Sequence, residues 1–283
     1  MRTSFLLGSV GLVAVLGLAG CAADNEPEGG DLAQRPLSAG GPAVGTPQPS
    51  QDRFSKSDTS YPSVGGGEAG FTCRQGAFCD AFASGGIADI WNGSYTTGDG
   101  MIEQQGDSAS LGSGSLHLTS RDKNSSAYLL REKDVVAKQW SGSLGFAIRF
   151  PKLPTEYVGG PELAVKTPEG PVYVRVFATP DGLFLEQNGS AGCAADRCVG
   201  TRTLISSVRA NHWYNVVVGF EVNENTSAPY GLVETSVNGG EFVTTDLNVP
   251  LADSTLYLKA GITQGDPGNY ASLDLDNVSL LAR

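Results

Sequence analysis

The sequence predicts an all-β fold, a two-sheet antiparallel sandwich, and three observations carry that prediction. Glycine is abundant, 38 of 283 residues, which supplies the turns that many short strands require. From Phe71 onward apolar and polar residues alternate along several runs, the period of a strand with one buried face. No run carries the 3.6-residue period of a convincing amphipathic helix. With 40% hydrophobic residues the chain can build a core, and its length allows one large domain or two small ones. Thirty acidic against 19 basic residues give a net charge of −11. Such a chain lacks the clustered Lys and Arg that neutralise phosphates, so no nucleic-acid partner is expected.

Taken in order, residues 1–20 read as a secretory signal peptide. Arg2 supplies the positive end, and Phe5 to Leu18 form an apolar stretch too short to span a bilayer as a mature helix. The run Leu18-Ala19-Gly20-Cys21 resembles the lipobox of bacterial lipoproteins, in which small residues precede a cysteine that is acylated before cleavage. That resemblance implies lipidation at Cys21 and stable attachment of an exported protein to a membrane, since several acyl chains exceed the marginal affinity of one. Ala22 and Ala23 follow, with Asp24 not adjacent to the cysteine, which is similar to an outer-membrane lipoprotein of the cell envelope. Residues 21–70 then hold six prolines, nine glycines and no aromatic residue before Phe54. No core can form there, and the stretch reads as a flexible Pro/Gly/Ser-rich tether reaching on the order of 40 Å.

Residues 71–283 are the predicted sandwich. Alternation is clearest at Leu144, Phe146, Ile148 and Phe150, at Val172, Val174 and Val176, and at Leu256, Leu258, Ala260 and Ile262. Turn signals at Thr179-Pro180-Asp181-Gly182 and Asn238-Gly239-Gly240 separate such runs. About a dozen strand-like segments in roughly 210 residues suit one sandwich better than a barrel or two small domains. Cys73 with Cys79 and Cys193 with Cys198 form an even set, which in an exported chain favours two short local disulfides. Spacing does not prove connectivity, and a four-sulfur zinc site is the alternative; neither pair has the two-residue spacing usual for zinc.

Three segments carry a resemblance. Ala271 to Leu280 is similar to the closing strand of concanavalin A-like and laminin-G-like jelly rolls. Phe78-Cys79-Asp80-Ala81-Phe82 resembles their opening strand, which pairs with the closing one, and His212 to Val218 resembles their central Trp-led strand. The resemblance implies a jelly-roll sandwich over Phe71 to Arg283 and leaves activity open, because this fold hosts binding modules as well as enzymes. Within it, Leu256 to Gln264 is similar to the cleft strand of jelly-roll alginate lyases, matching at Tyr257, Lys259, Ala260 and Gly261. The family's second tyrosine falls on Thr263, whose hydroxyl lacks the acidity for proton transfer near neutral pH. Arg131 matches the last arginine of the family's arginine-rich strand, whereas its acidic and first basic positions fall on Leu129 and Ala127. Val172 to Phe177 holds no histidine where the family carries a Gln-x-His pair.

No catalytic residue set is therefore assigned. Paired carboxylates at glycosidase spacing are also missing, and two histidines, His117 and His212, supply Ser-His-Asp or metal chemistry poorly; His117 reads as a strand-edge or partly buried residue. The strand faces opposite the core carry cations among aromatics: Arg149 on one run, Tyr173, Arg175 and Phe177 on a second, Tyr257, Lys259 and Thr263 on a third. Arg131 joins them in the lyase-like register. These residues form a candidate concave binding face, for which an anionic polysaccharide is the expected ligand because an Arg fork suits carboxylate geometry. Asp80 and Asp276 fall on the opening and closing strands as candidate ligands for a structural calcium, with no other cofactor required. The expected function is a lipid-anchored, non-catalytic carbohydrate-binding module. A divergent polysaccharide lyase, or a structural adhesion protein with an unknown protein partner, is the alternative.

Overall fold

The computed structural model describes Cys73 and residues 75–283, apart from 83–86, 88–89, 107–108, 111–113, 136–138, 168–169, 190–200, 252–254 and 268. The signal peptide, Cys21, the tether and the Cys193/Cys198 pair lie outside the described residues.

The described residues form strands and no helix. In chain order they are β1 (Phe78–Asp80), β2 (Gly93–Thr97), β3 (Met101–Gln105), β4 (Ser115–Ser120), β5 (Ser126–Asp134), β6 (Trp140–Arg149), β7 (Val158–Thr167) and β8 (Gly170–Thr179). There follow β9 (Gly182–Gly189), β10 (Thr201–Ser206), β11 (Trp213–Val222), β12 (Gly231–Val237), β13 (Val243–Asp246), β14 (Thr255–Ile262) and β15 (Ala271–Ala282). One sheet has eight strands in the order β13-β12-β11-β6-β15-β4-β3, with β1 also pairing β15. The other has seven, in the order β10-β9-β8-β7-β14-β5-β2. The pairings are antiparallel. The chain passes back and forth between the sheets, as a jelly roll requires.

The alternation seen in the sequence is what makes the two sheets stick. Leu144, Phe146 and Ile148 of β6 and Val216, Val218 and Phe220 of β11 are buried from one side. Val172, Val174 and Val176 of β8 and Leu256, Leu258, Ala260 and Ile262 of β14 meet them from the other, in one continuous apolar cluster. Burying such a side chain contributes about 1.5–3 kcal/mol.

The turns lie where they were expected. Thr179 pairs with Gly182 to close the β8–β9 hairpin. Asn238 and Gly239 both take positive φ, 54° and 70°, after β12; this is the two-residue turn whose twist suits a hairpin, and Gly239 adopts it without steric cost. The opening and closing strands pair, with Phe78 opposite Leu280. Cys73 and Cys79 form a disulfide with Cα atoms 5.9 Å apart, which fastens the chain just ahead of β1.

Candidate functional site

Because Leu256, Leu258, Ala260 and Ile262 face the core, Tyr257, Lys259 and Thr263 face away from it. Residues directly opposite on antiparallel strands share a face, so register extends this surface across the seven-stranded sheet. Lys259 of β14 pairs with Glu162 of β7, Glu162 with Arg175 of β8, Arg175 with Glu186 of β9, and Glu186 with Arg202 of β10. Five adjacent strands thus carry one row of side chains alternating in sign: plus, minus, plus, minus, plus. Lys259 Nζ donates to Glu162 Oε1 at 2.5 Å. Arg175 Nε donates to Glu186 Oε2 at 2.5 Å, and Arg202 Nε to Glu186 Oε1 at 3.1 Å.

Aromatic rings flank the row. Along the neighbouring register line Tyr257 pairs with Ala164 and Ala164 with Tyr173, placing a small residue between two phenol rings. The Arg175 guanidinium carbon lies 5.0 Å from the Tyr173 ring centroid, Arg202 is 4.8 Å from that of Phe177, and Lys166 Nζ is 4.6 Å from that of Tyr257. Tyr128 stacks on Tyr95 at 5.6 Å toward the β2 edge.

The row is rigidly held. Glu162 and Glu186 are each 3% exposed and Arg175 is 8% exposed. Arg175 Nη2 also donates to Gln264 Oε1 at 2.8 Å, and Gln264 Nε2 donates to Tyr157 Oη at 2.9 Å. Asp266, which is buried, accepts from Thr155 N at 2.6 Å and from Thr155 Oγ1 at 2.8 Å, fixing the segment that brings Tyr157 to Gln264. Burial pushes the Tyr173 phenol up from its ordinary value, against the lowering effect of the nearby Arg175 charge. That shift disfavours the phenolate that a base in an elimination reaction would need.

Solved structures share the architecture. The endo-β-1,4-glucuronan lyase from the fungus Trichoderma reesei superposes with a TM-score of 0.54 at 10% identity, covering 72% of this chain and 94% of that one. Cip1, a cellulose-induced protein, superposes with a TM-score of 0.51 at 13% identity, covering 72% and 96%. The alginate lyase A1-II′ of polysaccharide lyase family 7 gives 0.44 at 13% identity, covering 60% and 80%. No family model matches the chain, and no curated protein does. The chain therefore has a jelly-roll sandwich fold, the one that its sequence resembles.

The structure brings together six of the eight residues expected on the candidate face: Tyr173, Arg175, Phe177, Tyr257, Lys259 and Thr263. It corrects the other two. Arg131 pairs with Leu258 and so lies on the core side of β5; its Nη1 donates to the Ile90 carbonyl and its guanidinium sits 5.2 Å from the Phe78 ring centroid. The open-face positions of β5 are Tyr128, Leu130 and Glu132 instead, because a register slip of one residue exchanges the two faces of a strand. Arg149 belongs to the other sheet, where it bonds buried Asp274 through Nε at 2.7 Å and Nη2 at 2.6 Å and lies 5.0 Å from the Trp213 ring centroid. Alternation tells which face of a strand a residue takes, but not which sheet the strand joins.

Asp80 and Asp276 likewise serve other partners. Asp80 accepts from Phe82 N at 2.8 Å and Trp91 Nε1 at 2.6 Å, while Asp276 accepts from Ser110 N at 2.9 Å and Asn277 N at 2.7 Å. Among the described residues no group of three or more His, Cys, Asp or Glu could hold a metal ion. Both histidines lie off the binding face: His117 is on β4 and pairs with Asp274, and His212 precedes β11.

Glu162, Glu186, Arg202 and Gln264 were not foreseen. Glu186 was nonetheless legible, because Phe184, Glu186 and Asn188 alternate with buried Leu185 and Gln187 in the pattern that identified β8.

Proposed function

We propose that the open face of the seven-stranded sheet binds a polysaccharide without cleaving it, on a protein exported and held to a membrane by lipid at Cys21. The alternating row from Arg202 to Lys259 supports this reading. Its exposed ends, Arg202 and Lys259, held in place by buried Glu186 and Glu162, offer donors to sugar hydroxyls, and the rings of Tyr173 and Tyr257 on either side of Ala164 offer apolar faces to the C–H surfaces of a pyranose. The carboxylates on the row each have a cation partner, which is unlike the pair of acid and nucleophile that hydrolysis uses.

Arg175→Ala and Tyr257→Ala are expected to lower retention on immobilised polysaccharides by roughly tenfold each, the size of one lost charged or aromatic contact. Unchanged retention of both variants on ligands that hold the parent would refute the face as a binding site. A rise in ultraviolet absorbance from unsaturated ends during incubation with uronate polymers would overturn the non-catalytic part. Cys21→Ser should move the protein from the membrane to the soluble fraction; continued membrane association would remove the lipid anchor.

A further inference from the structure

We infer that the polysaccharide taken by this face is a neutral, hydroxyl-rich chain, not a uronate or sulfated polymer. The inference rests on the glycan-binding reading above and adds the charge class of the ligand.

The cations on the row are already engaged from within the sheet, three of them on two carboxylates. Arg175 and Arg202 share Glu186, with Nη2 atoms 2.5 and 3.0 Å from its two oxygens, and Lys259 is 2.5 Å from Glu162. The carboxylates are the deeply set members: the Glu162 and Glu186 side chains are each 4% exposed, against 26% for Lys259 and 55% for Arg202. They cannot swing aside to free their partners. An anionic sugar placed against Arg175 would find Glu162 and Glu186 directly opposite on the two neighbouring strands, at the roughly 5 Å that separates cross-strand pairs. Its charge would lie beside those two fixed carboxylates and would have to compete with them for the cations.

Arg175 has little left to give such a group in a bidentate manner. Its Nε and Nη2 are engaged by Glu186 and Gln264, so the fork that grips a carboxylate is occupied. The field of the whole domain acts in the same direction, since Phe71 to Arg283 holds 15 basic against 23 acidic residues, and a net negative surface repels a polyanion on approach.

A neutral sugar meets none of these obstacles. A hydroxyl accepts as well as donates, so it can bond the exposed heads of Lys259 and Arg202 without displacing Glu162 or Glu186.

The test uses the protein from residue 21 onward, with affinity electrophoresis and calorimetry on two sets of soluble chains. One set is neutral (β-glucan, xyloglucan, galactomannan) and the other is anionic (alginate, polyglucuronate, heparin). Both are run at about 20 and about 500 mM NaCl, which separates screened from unscreened interactions. The expected result is binding to a neutral chain with a dissociation constant that changes less than about twofold between the two salts. In addition, Glu162→Gln should weaken the neutral chain roughly tenfold and raise affinity for the anionic set, because it leaves Lys259 unpaired. Tighter parent binding to an anionic chain, falling steeply with salt, overturns the inference and leaves the glycan-binding reading standing. Binding to neither set overturns both. The parent measurements decide the matter even if Glu162→Gln fails to fold.

Discussion

Arg175 shows how one side chain joins the stability of the sheet to the chemistry of its surface. Its guanidinium is held by Glu186 and Gln264 over the Tyr173 ring, so removing it takes away a donor for ligand and the partner of a buried carboxylate at once. Breaking a buried pair costs about 3–5 kcal/mol when the remaining charge is orphaned. Glu186 would keep Arg202, a more exposed partner, so Arg175→Ala should cost about 2–3 kcal/mol, read as a lower urea midpoint at constant slope. Gly159 defines the space in which the guanidinium sits. A methyl group there would lie 3.0 Å from Arg175 Nη1 and 3.0 Å from Thr263 Oγ1. Gly159→Ala should therefore lower stability by about 1–2 kcal/mol and weaken glycan retention several-fold through displacement of Arg175. Retention equal to the parent's would show that Arg175 has room to move without consequence.

At the scale of elements, β3, β4, β15 and β6 carry a second charged line on the outer face of the eight-stranded sheet. Glu103 of β3 pairs with His117, His117 with Asp274, and Asp274 with Arg149. His117 Nδ1 is 2.6 Å from Asp274 Oδ1, and that hydrogen bond raises the histidine above its ordinary 6.5, with Asp274 and Glu103 charges adding to it; burial and Arg149 oppose the shift. A raised folded-state value means that protonated His117 stabilises the fold. The contribution is complete below the unfolded value and disappears as pH rises through the folded one. The melting temperature should therefore fall across the neutral to mildly alkaline range, and His117→Gln should flatten that part of the profile while leaving glycan retention unchanged. A profile identical in parent and variant would show that the pair carries no linkage. Arg149 on this line, beside Arg131 on β5, shows what the sequence could and could not reveal. Strand positions and the β8–β9 and β12–β13 turns were legible because alternation and turn chemistry are local, whereas the β1–β15 pairing was implied by the resemblance of those two segments to the opening and closing strands of jelly rolls. That Arg149 joins Asp274 across β6 and β15, and that Arg131 is turned inward by its pairing with Leu258, depend on sheet membership and register, which local periodicity does not encode.

For the molecule as a whole, the sandwich places its two charged lines on opposite outer faces, with the apolar core between. Two packed sheets lie about 10 Å apart, and sites at that distance with no shared partner are usually independent. Arg149 and Arg175 have separate carboxylate partners, Asp274 and Glu186. Arg149→Ala and Arg175→Ala combined should thus add to within about 0.5 kcal/mol of the two single costs in urea unfolding. Arg175 and Arg202 are the contrasting pair, because both hold Glu186. With either one removed the carboxylate keeps a cation; with both removed it is left buried and alone, so this double variant should lose about 1 kcal/mol or more beyond the sum. If the cross-sheet pair couples as strongly as the pair sharing Glu186, the core transmits strain between the faces, and substitutions on one sheet could no longer be read as local to it.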